Sequence, residues 1–218
     1  MEQDFTKGLN VCIGNYGYYN EGSLHDAWIT LPKTEAEIRD FLHLNHLQDP
    51  QHEEIYISDY DGIPFGTRLL FNEFCHLEDL NLLAKQLVTA NPADLEKVGA
   101  WIQANDTPES LVGLMNLIEQ ADEIPFYSWG YGRAYTEGGE VTVLEDGYID
   151  NCADGPDEDY YDRDELVPLI GDRYDAKYPV SSSKTADRSL GHKQEVSRNA
   201  SELLNDGKQA IETSLQEH

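Results

Sequence analysis

Apolar and polar positions alternate over residues 9–14. Leu9, Val11 and Ile13 point one way and Asn10, Cys12 and Gly14 the other, which predicts a half-buried strand. Asn15 to Ser23 is rich in turn-forming residues and is read as a turn. Ala27, Ile29 and Leu31 then alternate with Trp28 and Thr30, a second strand that Pro32 ends. Thr34 followed by Glu37 is a capping box, and Ile38, Phe41 and Leu42 supply the buried stripe of the helix it opens. Ile55 and Ile57 alternate with Tyr56 and Ser58, a third strand closed by Asp59-Tyr60-Asp61-Gly62.

The period then lengthens. Leu77, Leu80, Leu83, Ala84, Leu87 and Val88 have helical spacing. Asn91-Pro92 is an N-cap followed by proline at the first helical position, opening a helix that buries Leu95, Val98 and Ile102, with Trp101 near its edge. Gly99 falls inside that helix. Thr107-Pro108-Glu109 repeats the start signal, for a third helix through Leu111, Leu114, Met115 and Ile118. Beyond it, Ile124 to Trp129 reads as extended, and Val141, Val143 and Tyr148 as strand residues. Glu165 to Asp172 has helical spacing that Pro168 argues against.

These patterns predict an α+β protein of three small domains. Residues 1–70 form a β-β-α-β unit, 71–122 a helical domain and 123–178 an acidic α+β unit. Residues 179–218, with Ser181-Ser182-Ser183, read as a linker and a weakly helical or disordered tail.

Charge changes the picture most. The formal net charge of the 218 residues is −27, and residues 1–178, with 36 acidic and 10 basic side chains, hold −26 of it. No lysine or arginine lies between Arg133 and Arg163, while ten carboxylates do: Glu137, Glu140, Glu145, Asp146, Asp150, Asp154, Asp157, Glu158, Asp159 and Asp162. Like charges at this density repel nucleic acid and anionic membrane and attract basic protein surfaces. Three cysteines, odd in number and far apart, argue for a reducing compartment. Met1-Glu2-Gln3-Asp4 lacks the basic and apolar regions of a signal peptide, so a cytoplasmic location is expected.

Other chemistries fit the acidic stretch poorly. Aligned as calcium loops, the window from Asp154 has Pro156 at the third position and Asp159 where a glycine belongs, and the window from Asp150 has Tyr161 where a bidentate carboxylate belongs. A hydrolytic carboxylate pair needs apolar walls or cationic neighbours, and these carboxylates lie in a polar, tyrosine-rich segment. His43, His46 and Cys75-His76 form no metal-binding pattern. Neither a phosphate-binding glycine loop nor a nucleophile elbow is present. The expectation is a non-enzyme with no catalytic residue, cofactor or metal. Tyr16, Tyr18 and Tyr19 read either as packed against the hairpin or as interface residues.

The N-terminal unit resembles the ArdA family of antirestriction proteins. The resemblance rests on Val11-Cys12-Ile13-Gly14-Asn15-Tyr16, Tyr19-Asn20-Glu21-Gly22 and Ala27-Trp28-Ile29-Thr30-Leu31-Pro32, followed by Ser58 to Pro64 and Leu77 to Asn81. It departs at Tyr161-Asp162-Arg163-Asp164, where the family's Gly-Arg-Asp lacks its glycine. The resemblance implies an elongated, three-domain, homodimeric DNA mimic, carried by a mobile genetic element, that occupies the DNA-binding channel of type I restriction–modification enzymes. The mimic carboxylates it implies are the ten above with Asp59, Asp61, Asp164 and Glu165. The alternative is an acidic binding module for divalent cations or for another basic protein.

Overall fold

A computed structural model describes residues 7–128 and 141–179. The chain divides into a unit ending at Lys177 and a second from Tyr178 to His218. The described elements belong to the first, which is mixed α+β with six helices and two small antiparallel sheets.

The first sheet has the strand order β2-β1-β3, with β1 Leu9–Asn15, β2 Ala27–Leu31 and β3 Ile55–Asp61. Leu9 pairs with Leu31 and Val11 with Ile29, so the apolar set of both strands faces the core. The segment read as a turn after β1 is instead a short helix, α1 (Tyr16–Asn20). Asn15 is the cause. Its Oδ1 accepts from the Gly17 and Tyr18 N–H groups, and its Nδ2 donates to the Leu47 and His52 carbonyls at 3.0 Å each. Two acceptor and two donor positions of one buried amide are thus filled. The helix α2 (Glu35–Leu44) starts where expected, with the reciprocal Thr34–Glu37 capping box formed.

The strand β3 does not end at Ser58 but continues to Asp61, through a bulge. Ile57 pairs with Ile13 and Asp59 with the adjacent Cys12, which leaves Ser58 as the extra residue. Strict alternation would place Asp59 and Asp61 on the core face with Ile55 and Ile57. The extra residue reverses the phase. Tyr60 turns inward, where its ring meets Phe71 edge-on at 5.3 Å and its hydroxyl donates to the Asn72 carbonyl at 2.6 Å. Asp59 and Asp61 turn outward and are exposed.

Three helices follow: α3 (Leu77–Thr89), α4 (Pro92–Ala104) and α5 (Leu111–Glu119). The Asn91 cap forms as expected, its side chain accepting the Ala93 N–H at 3.0 Å. Gly99 is explained by the Phe65 ring, which lies 3.1 Å from where a Cβ would stand. The start of α5 is displaced from Thr107: Ser110 is the cap, its hydroxyl accepting the Gly113 N–H at 2.9 Å, and Pro108 is buried ahead of it.

The second sheet has the order β4-β6-β5, from β4 Phe126–Ser128, β5 Val141–Val143 and β6 Gly147–Asp150. The last helix, α6, runs over Arg163–Lys177 with Pro168 inside it. An interior proline costs a helix about 3 kcal/mol. Tertiary anchoring offsets that penalty: Leu166 and Ile170 are fully buried and join the core formed by the first sheet and α3 to α5. Cys12, Cys75 and Cys152 are all free thiols.

Candidate protein-interaction surface

The expected carboxylates occupy several parts of the fold. Asp59 and Asp61 stand on the outer face of β3, and Glu145 and Asp146 lie at the exposed turn between β5 and β6. Asp150 ends β6, its Oδ1 accepting the Cys152 N–H at 3.0 Å. Asp154, Asp157, Glu158 and Asp159 lie in the loop before α6. Asp162, Asp164 and Glu165 gather at the N-terminus of that helix, where the helix dipole favours negative charge. Glu165 Oε2 accepts the Asp162 N–H there at 2.9 Å. Glu137 and Glu140 lie outside the described residues.

Neutral amides hold the acidic loop. Asn116, on α5, is fully buried. Its Nδ2 donates to the Glu158 carbonyl at 2.8 Å and the Tyr161 carbonyl at 2.9 Å, and its Oδ1 accepts the Tyr161 N–H at 2.9 Å. One turn further on, Gln120 Nε2 donates to the Asp157 carbonyl at 2.7 Å. The Trp101 indole lies across Gly155, so close that a Cβ there would stand 2.1 Å from Cζ2. The loop backbone is thus tied inward to α4 and α5, while Asp154, Asp157 and Asp159 are exposed to solvent. Among the described residues no group of three or more His, Cys, Asp or Glu side chains is arranged to hold a metal ion.

Several of the few cations serve internal contacts. Arg163 Nε lies 2.5 Å from Asp79 Oδ1, and the same guanidinium approaches Glu78 at 3.6 Å and Asp164 at 3.9 Å. Arg173 pairs with Glu119, whose other oxygen accepts from Gln86 at 2.9 Å. Lys97 bonds Asp94 at 2.9 Å. No described carboxylate is among the buried residues, and only Asp49, Asp79, Asp94, Glu119, Asp150 and Glu158 are half-buried. Four of these six face a nearby Arg, Lys or His, Asp150 accepts the Cys152 N–H and Glu158 Oε2 lies over Gly113, so the charge displayed outward is that of the other, exposed carboxylates.

The three N-terminal tyrosines divide. Tyr18 is packed: its ring stacks on His52 at 4.0 Å and His25 at 4.7 Å, and its hydroxyl donates to Asp49 Oδ2 at 2.7 Å. His52 bridges two carboxylates, with Nδ1 at 2.9 Å from Asp49 and Nε2 at 3.2 Å from Glu21. The Tyr18 and His52 hydrogen bonds hold the Asp49 carboxyl well below the usual carboxylate range, and Asp49 and then Glu21 raise the imidazole above its ordinary value. Tyr16 packs on Tyr56 at 4.6 Å, whereas Tyr19 is exposed.

Fold and surface together define an acidic α+β protein most of whose described carboxylates are exposed, with four of the half-buried ones facing internal cations. The sequence matches the family model described as "Antirestriction protein (ArdA)" over residues 11–162. That match runs from within β1 to the residue before α6, and the chain belongs to the ArdA antirestriction family. No curated protein sequence matches it. Among the described residues no helix is long and apolar enough to cross a membrane.

Proposed function

We propose that this protein inhibits a type I restriction–modification enzyme by occupying its DNA-binding channel in place of DNA. The observation that carries the reading is the outward display of carboxylates in a chain of this family. B-DNA presents about one negative charge per 1.7 Å of axis, and the lysines and arginines that bind it gain by counterion release. The charge of −26 over residues 1–178 is that of about 13 base pairs, at two phosphates per pair. Asp59, Asp61, Glu145, Asp146, Asp150, Asp154, Asp157, Glu158, Asp159, Asp162, Asp164 and Glu165, with Glu137 and Glu140, are the carboxylates assigned to this contact. The protein acts by binding rather than by catalysis, in the cytoplasm and as a homodimer, with an elongated arrangement of three domains divided near residues 70 and 122.

The test is displacement of labelled duplex from a purified type I enzyme, titrated with salt. Displacement that weakens steeply as salt rises is expected. Failure to displace the duplex at low salt would refute the proposal.

A further inference from the structure

The outer face of the first sheet is built from three rows. In the first, Thr30 Oγ1 donates to Asn10 Oδ1 at 2.6 Å and Asn10 Nδ2 approaches Asp61 Oδ2 at 3.4 Å. In the second, Trp28, Cys12 and Asp59 stand side by side, because Cys12 is paired with both others. In the third, Tyr56 and the Asp26 carboxylate lie over Gly14, each within 2.5 Å of where a Cβ would stand. Tyr16 and Tyr19 extend this end of the face, 4.6 and 6.4 Å from the Tyr56 ring. None of the three strands contains a lysine or arginine.

Trp28 is the unusual member. An indole 51% exposed, on the edge strand β2 and in the middle row of a face bordered by three aspartates, does not contribute to the core. Exposed tryptophan and tyrosine are the residues that most often dominate binding energy at interfaces. A guanidinium can stack on an indole while bonding neighbouring carboxylates, a combination that a lysine ammonium reproduces less well. The same face of a second copy is a poor occupant, because Asp26, Asp59 and Asp61 would meet their own counterparts across a two-fold contact.

We propose that this face, centred on Trp28 and flanked by Asp26, Asp59 and Asp61, docks an arginine-bearing patch of the restriction enzyme's DNA channel. The inference rests on the channel-occupancy reading above. It adds that the affinity is concentrated at an aromatic anchor as well as spread over carboxylates.

The experiment compares the full chain with Trp28→Ala, Thr30→Arg and the double variant Asp59→Asn/Asp61→Asn. Each is titrated against labelled duplex bound to the type I enzyme, at low and moderate salt. Trp28→Ala is expected to weaken displacement by about tenfold or more at both salt concentrations. The aspartate pair is expected to lose affinity chiefly at low salt. Thr30→Arg places a cation and bulk at an exposed position on the same face and also weakens displacement. It carries the test if circular dichroism shows that Trp28→Ala does not fold. If wild type displaces DNA and the folded Trp28→Ala and Thr30→Arg variants match it, the face is not the docking site. The proposal also fails if either variant splits a dimer in sedimentation yet still displaces DNA normally, since the face then belongs to a second copy. A wild-type protein that displaces no DNA at low salt overturns the channel reading itself, and this inference with it.

Discussion

Replacing Asn116 by alanine tests whether an amide, rather than an ion, organises the acidic loop. The substitution leaves the Glu158 and Tyr161 carbonyls and the Tyr161 N–H without their partner. Each buried polar group left unsatisfied costs about 1–3 kcal/mol. The loop borders solvent and can recover part of that by hydration, so about 2–4 kcal/mol in total is expected. For a protein of this size, 1 kcal/mol lowers Tm by about 2–4 °C, which makes the expected shift roughly 4–16 °C. Urea unfolding gives the free energy, and hydrogen exchange over residues 153–162 locates it. Those amides should exchange faster than in wild type, and the loop carboxylates should contribute less to DNA displacement. Asn116→Asp is a sharper variant: it keeps an acceptor for the Tyr161 N–H but points a carboxylate at two carbonyls, and it should be at least as damaging. An Asn116→Ala protein within about 0.5 kcal/mol of wild type, with unchanged exchange in the loop, would show that Asn116 does not hold it.

Two further outcomes follow from the packing and the titrating groups. Gly155→Ala drives a methyl group into the Trp101 indole and should destabilise the protein by about 1–3 kcal/mol, read by urea unfolding with the near-ultraviolet tryptophan signal; a neutral result would mean that the loop shifts freely. His52, raised above its ordinary 6.5 by Asp49 and Glu21, contributes stability that is full below 6.5 and is lost as pH rises through its higher folded value; Asp49, lowered from 3.8, contributes stability present above 3.8 and lost as pH falls through its folded value. Stability should therefore decline on the alkaline side of the imidazole titration, and His52→Gln should remove that decline; a pH profile identical in the variant would refute it.

Local signals in the sequence were good guides where the partners are close in the chain. The alternation in β1 and β2, the Thr34–Glu37 box and the Asn91-Pro92 start each depend on residues within one or two turns, and each formed. Long-range partners decided the rest. The helix α1 replaces a turn because Asn15 bonds carbonyls 32 and 37 residues away. Pro168 is tolerated because Leu166 and Ile170 are buried in a core built by distant elements, and arginines of the same helix reach partners 84 and 54 residues away. The same contacts place Asp79 and Glu119 in internal ion pairs, which composition could not distinguish from surface charge. The loop clamp was also hidden, since its trace is only a lone Asn116 between Met115 and Leu117 in an otherwise apolar run. The family resemblance was legible because it rests on contiguous motifs, and the match over residues 11–162 agrees with it.

The extra residue at Ser58 makes the sign of a surface depend on counting. A strand assigns its side chains by parity, so deleting one residue at the bulge alters neither net charge nor the number of carboxylates. It would nevertheless carry two negative charges from the solvent side of the sheet to the side that packs the core. For an acidic protein, composition fixes how much charge there is, but an odd or even residue count fixes where the field points. A single-residue insertion or deletion can therefore matter more here than several conservative exchanges, and chains of equal charge can differ in what they present to a partner.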